Sequence, residues 1–191
     1  MAAASRILYL HGFCSSPASW KARLLGDFLA ARGLGDRFAC PVLPPVPLAA
    51  IASAEAALSG GGGETTLVGS SLGGYYAAWL AEKHDLRAVL VNPAVMAPEL
   101  LAGLVGRHSN FHTGECFDFA DEHVTQLRLL ETPQVTAARY LLLVETGDEV
   151  LDYRQALARY AGSRQIVIEG GDHGFLSFPR LLPQILEFCR L

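Results

Sequence analysis

Short apolar runs alternate with helical hydrophobic patterns along this sequence. The first run, at residues 7–10, is continuous and ends at a His-Gly pair. Such a run is typical of a strand buried on both faces of a parallel sheet. Comparable runs predict five more strands, at residues 38–43, 65–68, 87–91, 140–144 and 165–168.

Apolar residues recur at helical spacing between these runs. Ser16 and Pro17 suit the start of a first helix, as N-cap and first helical residue, and Gly33 suits its end. Four more helices are predicted at residues 48–58, 72–83, 151–160 and 179–189. Strands that alternate with helices imply an α/β fold, with a mostly parallel sheet of about six strands and helices on both faces.

Residues 94–136 break this alternation with short helical pieces and polar breaks. We interpret them as a small lid-like insertion over the carboxyl ends of the strands, where open α/β sheets bind ligands. The 191 residues, 1–191, are otherwise expected to form a single domain. The four glycines at 60–63 are expected to be a flexible connector, because the Lys-Ser/Thr pair of a phosphate-binding loop does not follow them.

Composition excludes several classes of protein. Apolar residues make up 51% of the chain and charged residues 18%, which excludes intrinsic disorder. The net charge of −4, without a basic stripe, argues against nucleic-acid binding. No apolar stretch is long enough for a transmembrane helix. Free thiols in a reducing cytoplasm are expected, because the four cysteines lie far apart: Cys14, Cys40, Cys116 and Cys189.

The segment Gly69–Gly73 matches the pattern Gly-x-Ser-x-Gly. In that pattern the central serine lies on a strained turn between a strand and a helix, and small residues on both sides allow the tight turn. Here an apolar run precedes the pattern and a helical run follows it. The context therefore indicates a nucleophile at Ser71.

A serine nucleophile needs a base, and the base needs an acidic group to orient it. Asp148 and His173 follow Ser71 in the order Ser, Asp, His, and both come directly after predicted strands. We therefore predict a catalytic triad of Ser71, Asp148 and His173. Other carboxylates compete with Asp148 for the orienting role, namely Glu145, Glu149, Asp152 and Asp172.

Two backbone N–H groups are expected to form an oxyanion hole. Leu72 directly follows the serine at a helix N-terminus, where the helix dipole favours negative charge. Phe13 lies in the loop after the first strand and is the second candidate donor. The neighbouring His11 is expected to brace this loop.

Several longer stretches carry a family resemblance: Leu10-His11-Gly12-Phe13, residues 68–76, Val91-Asn92-Pro93-Ala94, residues 146–156 and residues 169–173. In these stretches the chain resembles the YqiA-like esterases, small bacterial α/β-hydrolases of the UPF0227 group. The resemblance is weak at residues 33–64 and in the insertion. It implies the α/β-hydrolase fold and hydrolysis of carboxylic esters or acyl thioesters by Ser71, Asp148 and His173. Two positions depart from the family pattern, since Cys14 and Asp172 stand where the family often has Asn.

The insertion contains acidic, histidine and aromatic residues, but their spacing matches no standard metal motif. A polar, acidic lid surface is therefore expected, with no metal and no cofactor. Phe111, Phe117 and Phe119 alternate with polar residues, and they either line an acyl pocket or form the packed underside of the lid.

These observations predict a cytoplasmic serine esterase or thioesterase that acts on a small acyl substrate and is a monomer or a weak homodimer. Two alternatives stay open. One is a non-catalytic α/β-hydrolase scaffold that binds a ligand or a protein. The other is an acyltransferase or a peptidase that uses the same triad, because the lid and the pocket select the acceptor.

Overall fold

A computed structural model of the chain describes residues 5–60 and 62–191. Gly61, within the predicted glycine connector, and residues 1–4 of the predicted domain lie outside the described residues. The strands are β1 (Arg6–Leu10), β2 (Phe38–Ala39), β3 (Thr65–Ser70), β4 (Arg87–Val91), β5 (Gly106–Ser109), β6 (Cys116–Phe119), β7 (Tyr140–Glu145) and β8 (Arg164–Ile168). The helices are α1 (Trp20–Ala30), α2 (Pro47–Ser59), α3 (Leu72–His84), α4 (Ala97–Ala102), α5 (Asp121–Leu129), α6 (Tyr153–Arg159) and α7 (Phe178–Cys189).

Six strands form one parallel sheet in the order β2-β1-β3-β4-β7-β8, which confirms the predicted fold class. After β1 the chain runs to one edge of the sheet through β2, and it then returns to the other side of β1 through β3. A crevice opens where the strand order reverses, at the carboxyl ends of β1 and β3, and open α/β sheets bind ligands at such points. The strands that end at this crevice lead into His11 and Ser71.

Both faces of the sheet are covered. Leu8, Leu10 and Leu67 point into one core, which α2, α3 and α5 cover, while Ile7 and Val68 point into a second core under α1 and α7. Alternate residues of one strand thus enter opposite cores, as the pleat requires. Because both faces of the sheet are buried, successive residues of a strand are all apolar, and the strands appear in the sequence as continuous apolar runs.

Two predicted boundaries were wrong. Helix α1 begins at Trp20 and not at Ser16, because the Ser16 hydroxyl accepts a hydrogen bond from the Ala18 amide (3.1 Å) and forms a turn before the helix. Strand β2 is two residues long and does not reach residue 43. The following segment is rich in proline, which lacks an N–H donor for a sheet, and the Leu43 amide donates to the ring of His11 instead.

The region 94–136 contains α4, α5 and an antiparallel hairpin of β5 and β6. Short helical pieces are expected there from the sequence, but the two strands are not. Helix α5 packs onto the core, where Val124 and Leu127 are buried, and the Tyr75 hydroxyl donates to the Leu127 carbonyl (2.7 Å). The hairpin lies against the loop after β1. Among the helices described, none is long and apolar enough to cross a membrane.

Candidate active site

Ser71 lies on a strained turn between the end of β3 and the first residue of α3. Its φ is +55° and its ψ is −122°, a conformation that L-residues rarely adopt. The Ser71 amide donates to the carbonyl of Val91 (3.0 Å), and its carbonyl accepts from the amides of Gly74 (2.9 Å) and Ala94 (3.1 Å). Strain of about 1–3 kcal/mol at such a residue persists only where its surroundings hold it, and here the end of β4, the segment after it and the first turn of α3 do so.

The glycines of the turn are required by close packing of the backbone. A Cβ on Gly69 would collide with the carbonyl of Gly73, and a Cβ on Gly73 would collide with the carbonyl of Leu10. Strand β3, helix α3 and the end of β1 therefore touch through backbone atoms. This packing explains the two outer glycines of the Gly-x-Ser-x-Gly pattern.

The imidazole of His173 bridges Ser71 and Asp148. Its Nδ1 donates to Oδ2 of Asp148 (2.8 Å), and its Nε2 accepts from the hydroxyl of Ser71, with 3.1 Å between Nε2 and Oγ. The Asp148 side chain is 1% exposed and the His173 ring 24%. The structure therefore brings together all three residues of the predicted triad, with the histidine reachable from solvent.

Asp148 is held as an ionised, oriented carboxylate. Its Oδ1 accepts from the amides of Val150 (2.9 Å) and Leu151 (2.8 Å), which leaves Oδ2 for His173. Burial raises the pKa of the Asp148 carboxyl, but the hydrogen bonds from His173, Leu151 and Val150 outweigh it, so the pKa lies below its ordinary value.

The four competing carboxylates have other contacts. Glu145 is fully buried and accepts from the amides of Asp172 and Ser177 (both 2.9 Å). Glu149 accepts from the His173 amide (3.0 Å), and Asp152 accepts from the amide of Arg154 at the start of α6. The side chain of Asp172 makes no hydrogen bond to His173 in the part of the chain described. All five carboxylates belong to described residues, and among them only Asp148 hydrogen-bonds to the imidazole ring.

Three residues hold the histidine loop; of these, Glu145 was expected only as a competitor of Asp148, and the other two were not expected at the site. Besides Glu145, Asn92 donates from Nδ2 to the Asp172 carbonyl (3.1 Å) and accepts at Oδ1 from the Glu145 amide (3.0 Å). Lys21 reaches across from α1, and its Nζ donates to the carbonyl of Gly174 (2.7 Å).

Lys21 is a buried cation among carboxylates. Burial lowers the pKa of its ammonium group to about 8, and the charges of Asp172, Glu145 and Asp148 offset part of that effect. A sequence signal for this residue exists. Lys21 lies four and eight residues before Leu25 and Leu29, which are both fully buried, so it shares the buried face of α1.

The two expected oxyanion donors lie near Ser71 with free amides. Neither the Phe13 nor the Leu72 N–H donates a hydrogen bond to any of the described residues. Leu72 is the first residue of α3, and Gly12 approaches so closely that a Cβ on it would lie 3.7 Å from the Ser71 Oγ. Free backbone donors beside a nucleophile suit a developing oxyanion.

His11 braces the loop after β1, as predicted. Its Nε2 accepts from the Leu43 amide (3.0 Å), so its Nδ1 carries the proton and donates to the Gly12 carbonyl (3.1 Å). Burial lowers the pKa of this imidazole, which keeps it neutral and in that tautomer.

The β5–β6 hairpin is joined to the same loop. Asn110 donates from Nδ2 to the Ser15 carbonyl (2.7 Å), and the Phe111 amide donates to the carbonyl of Cys14 (2.8 Å). The Phe13 ring packs edge-on against three aromatic rings of this region, those of His108, Phe117 and Phe119. The hairpin thus fixes both the backbone and the side chain of the loop that carries the Phe13 amide.

Two cavities flank this loop, each of about 240 Å³. The proline-side cavity is lined by residues 42–45 and by Leu72, Tyr76, Glu115 and Phe117. The histidine-side cavity is lined by Trp20, Lys21, Ser71, Phe111, His112 and His173. His11, Gly12, Phe13 and Ser15 line both. Phe117 and Phe111 therefore face different cavities, while Phe119 is buried in the core.

The acidic and histidine residues of the insertion do not gather into a cluster. No group of three or more His, Cys, Asp or Glu side chains able to hold a metal ion occurs among the described residues.

All four cysteines are free thiols, and of these Cys14 lies in the loop after β1.

Comparisons with known proteins agree with this architecture. The family model of the uncharacterised protein family UPF0227 matches residues 6–190. A hydrolase-like protein from Agrobacterium vitis S4 superposes with a TM-score of 0.77 at 17% identity, over 98% of this chain and 91% of that one. Mouse alpha/beta hydrolase domain-containing protein 10 superposes with a TM-score of 0.70 at 18% identity, over 95% of this chain and 87% of the mouse chain. A chain from a structure of the metagenome-derived lipolytic enzymes LipS and LipT superposes with a TM-score of 0.71 at 19% identity, over 99% of this chain and 97% of that one. At these identities the likeness shows the α/β-hydrolase fold.

Proposed function

The chain belongs to the UPF0227 family, and we propose that it is a serine hydrolase that cleaves carboxylic esters or acyl thioesters. The observation that carries the proposal is the hydrogen-bonded chain from Ser71 through His173 to Asp148. It lies beside two free backbone amides and two cavities. The fold shared with lipolytic enzymes supports it further.

In the proposed first step, His173 Nε2 takes the hydroxyl proton of Ser71 while Oγ bonds to the acyl carbon. The negative charge moves to the carbonyl oxygen, where the amides of Phe13 and Leu72 stabilise it. Asp148 stabilises the imidazolium that forms and does not itself take the proton. Its lowered pKa suits this role, because the carboxylate stays ionised.

The tetrahedral intermediate then collapses. The bond between the acyl carbon and the leaving group breaks, and the proton on Nε2 moves to the leaving oxygen or sulfur. Water next loses a proton to Nε2 and attacks the acyl carbon of the Ser71 ester. The bond between that carbon and Oγ then breaks as Nε2 returns the proton to Oγ, which releases the carboxylic acid and restores the serine. The position of Ser71 supports this cycle, because the residue lines the histidine-side cavity together with His173.

Free thiols at all four cysteines support a reducing cytoplasm as the location we propose for the enzyme. The region 94–136 is, in this proposal, an insertion whose hairpin covers one wall of the site.

The test is hydrolysis of 4-nitrophenyl butyrate and of a butyryl thioester by the purified protein and by Ser71→Ala. We expect turnover of at least one substrate by the native chain and a loss in kcat of roughly 10⁴–10⁶-fold in the variant. Turnover that survives in Ser71→Ala would overturn the proposal. Absence of turnover, together with stabilisation of the folded protein by added esters, would also contradict it and would favour the binding scaffold.

A further inference from the structure

The two cavities share one loop beside the reacting atom: Ser71 lines the histidine-side cavity, and the next residue, Leu72, lines the proline-side cavity. Gly12 and Phe13 line both of them, and the Gly12 backbone lies directly against Ser71. A substrate carbonyl bonded to Ser71 Oγ therefore begins in the histidine-side cavity, and Gly12, Phe13 and Leu72 beside it border the proline-side cavity. Its oxygen faces the amides of Phe13 and Leu72.

We propose that the acyl group of the substrate occupies the proline-side cavity, that the leaving group occupies the histidine-side cavity, and that the acyl group is short and uncharged. This inference rests on the proposed function and extends it to the substrate class.

The position of His173 assigns the leaving group. Its Nε2 must hand a proton to the leaving atom, so that atom lies within hydrogen-bond reach of the ring. His173 lines the histidine-side cavity and not the other one. The remaining substituent of the carbonyl carbon, the acyl chain, points away from the ring. The two residues whose amides are the proposed oxyanion donors, Leu72 and Phe13, also line the proline-side cavity.

The walls of the proline-side cavity suit an uncharged chain. Val42, Leu43 and Phe117 supply apolar surface, while the polar ring of His11 has both nitrogens engaged in hydrogen bonds. Glu115 contributes a carboxylate that would repel an anionic chain end.

The size of the cavity limits the chain. A water molecule occupies about 30 Å³ in the liquid, so a cavity of about 240 Å³ holds on the order of eight atoms of that size. Each buried methylene raises kcat/KM roughly threefold to fourfold. We therefore expect kcat/KM to rise with chain length up to about six to eight carbons and to fall for longer chains.

The experiment measures kcat/KM for 4-nitrophenyl esters from acetate to dodecanoate in the native protein and three variants. Val42→Trp fills the proline-side cavity and Phe117→Ala enlarges it. Phe111→Ala removes a matched phenyl ring from the same hairpin that lines only the histidine-side cavity. Val42 and Phe111 are 68% and 80% exposed, so both variants should fold.

We expect the acyl chain length with the highest kcat/KM to be shorter by two or more carbons in Val42→Trp and longer in Phe117→Ala. It should be unchanged in Phe111→Ala, where the ratio of rates for 4-nitrophenyl and methyl esters of one acid should change instead. A hemisuccinyl ester should react at least tenfold more slowly than the butyrate ester, and Glu115→Gln should reduce that difference.

The reverse pattern, in which Phe111→Ala alone shifts the preferred chain length, would overturn the assignment. So would an unchanged profile in Val42→Trp together with a uniform loss for all esters in Phe117→Ala. Either result leaves ester hydrolysis by Ser71 intact. Failure of the proposed function would appear differently, as no Ser71-dependent hydrolysis of any ester.

Discussion

His173 Nε2 lies 3.1 Å from the hydroxyl oxygen of Ser71, although 102 residues separate them in the sequence. The carboxyl ends of parallel strands meet at one edge of a sheet, and this edge carries the loops after β3, β7 and β8. Three loops that are distant in sequence therefore supply one hydrogen-bonded chain.

Replacing Asp148 by Asn should lower kcat by about 10⁴-fold with little change in KM, because an amide cannot both orient the imidazole and stabilise its charged form. Steady-state kinetics on 4-nitrophenyl butyrate measure the effect. Asp172→Asn is the matched control, since the Asp172 side chain makes no hydrogen bond to the ring in the part of the chain described, and it should stay within about threefold of the native rate. Equal losses in both variants would contradict the assigned role of Asp148.

Asn110→Asp should lower kcat more than it raises KM. The change keeps Oδ1, which accepts from the amides of His112 and Thr113, and removes the Nδ2 donor to the Ser15 carbonyl. Loosening the loop that carries the Phe13 amide should reduce the rate by roughly 10-fold. That is less than the 10²–10³-fold loss typical of removing an oxyanion donor outright, because the Phe111–Cys14 hydrogen bond remains. A rise in KM with unchanged kcat would argue against this role of the hairpin.

Lys21→Met should remove a pH-dependent part of the stability. The Lys21 pKa is about 8 in the folded protein and near 10.5 when unperturbed, so between these values the unfolded chain binds more protons. The free energy of unfolding of the native protein therefore gains about 3 kcal/mol from this group as the pH rises from 8 to 10.5. Urea titrations of both proteins across this range measure the difference. A difference independent of pH would contradict burial of the charged lysine.

Glu145→Gln should destabilise the fold. Both oxygens of the buried carboxylate accept backbone hydrogen bonds from the histidine loop, and an amide would turn one acceptor into a donor that faces an N–H. We expect a loss of about 2–3 kcal/mol, and a Tm lower by roughly 5–10 °C. Glu149→Gln, at an exposed position that also accepts from this loop, should shift Tm by no more than about 2 °C. Equal shifts in the two variants would contradict this account.

Local patterns explain what the sequence could predict. The elbow at Ser71 needs small residues at fixed spacing, and strand β4 is a clean apolar run, so both were predicted with their positions. Asp148 and His173 follow strands directly, and their position at the sheet edge follows from topology. The observed contacts agree with the predicted grouping, and their catalytic roles remain a proposal.

Contacts between distant segments explain what the sequence could not predict. The β5–β6 hairpin has mostly exposed residues, and its aromatic rings are ordered by packing on Phe13 rather than by a strand pattern. The start of α1, by contrast, depends on a local contact, the turn in which the Ser16 hydroxyl accepts from the Ala18 amide. Lys21 holds the histidine loop through its hydrogen bond to the carbonyl of Gly174, which lies 153 residues away in the chain.

The central claim is that Ser71 is an activated nucleophile, and covalent labelling tests it most directly. The native protein and Ser71→Ala are treated with a fluorophosphonate, and intact mass and peptide mapping are then recorded. The account predicts a single adduct on Ser71 in the native chain and none in the variant. A folded native protein that stays unlabelled, or a variant labelled equally at another residue, would contradict it.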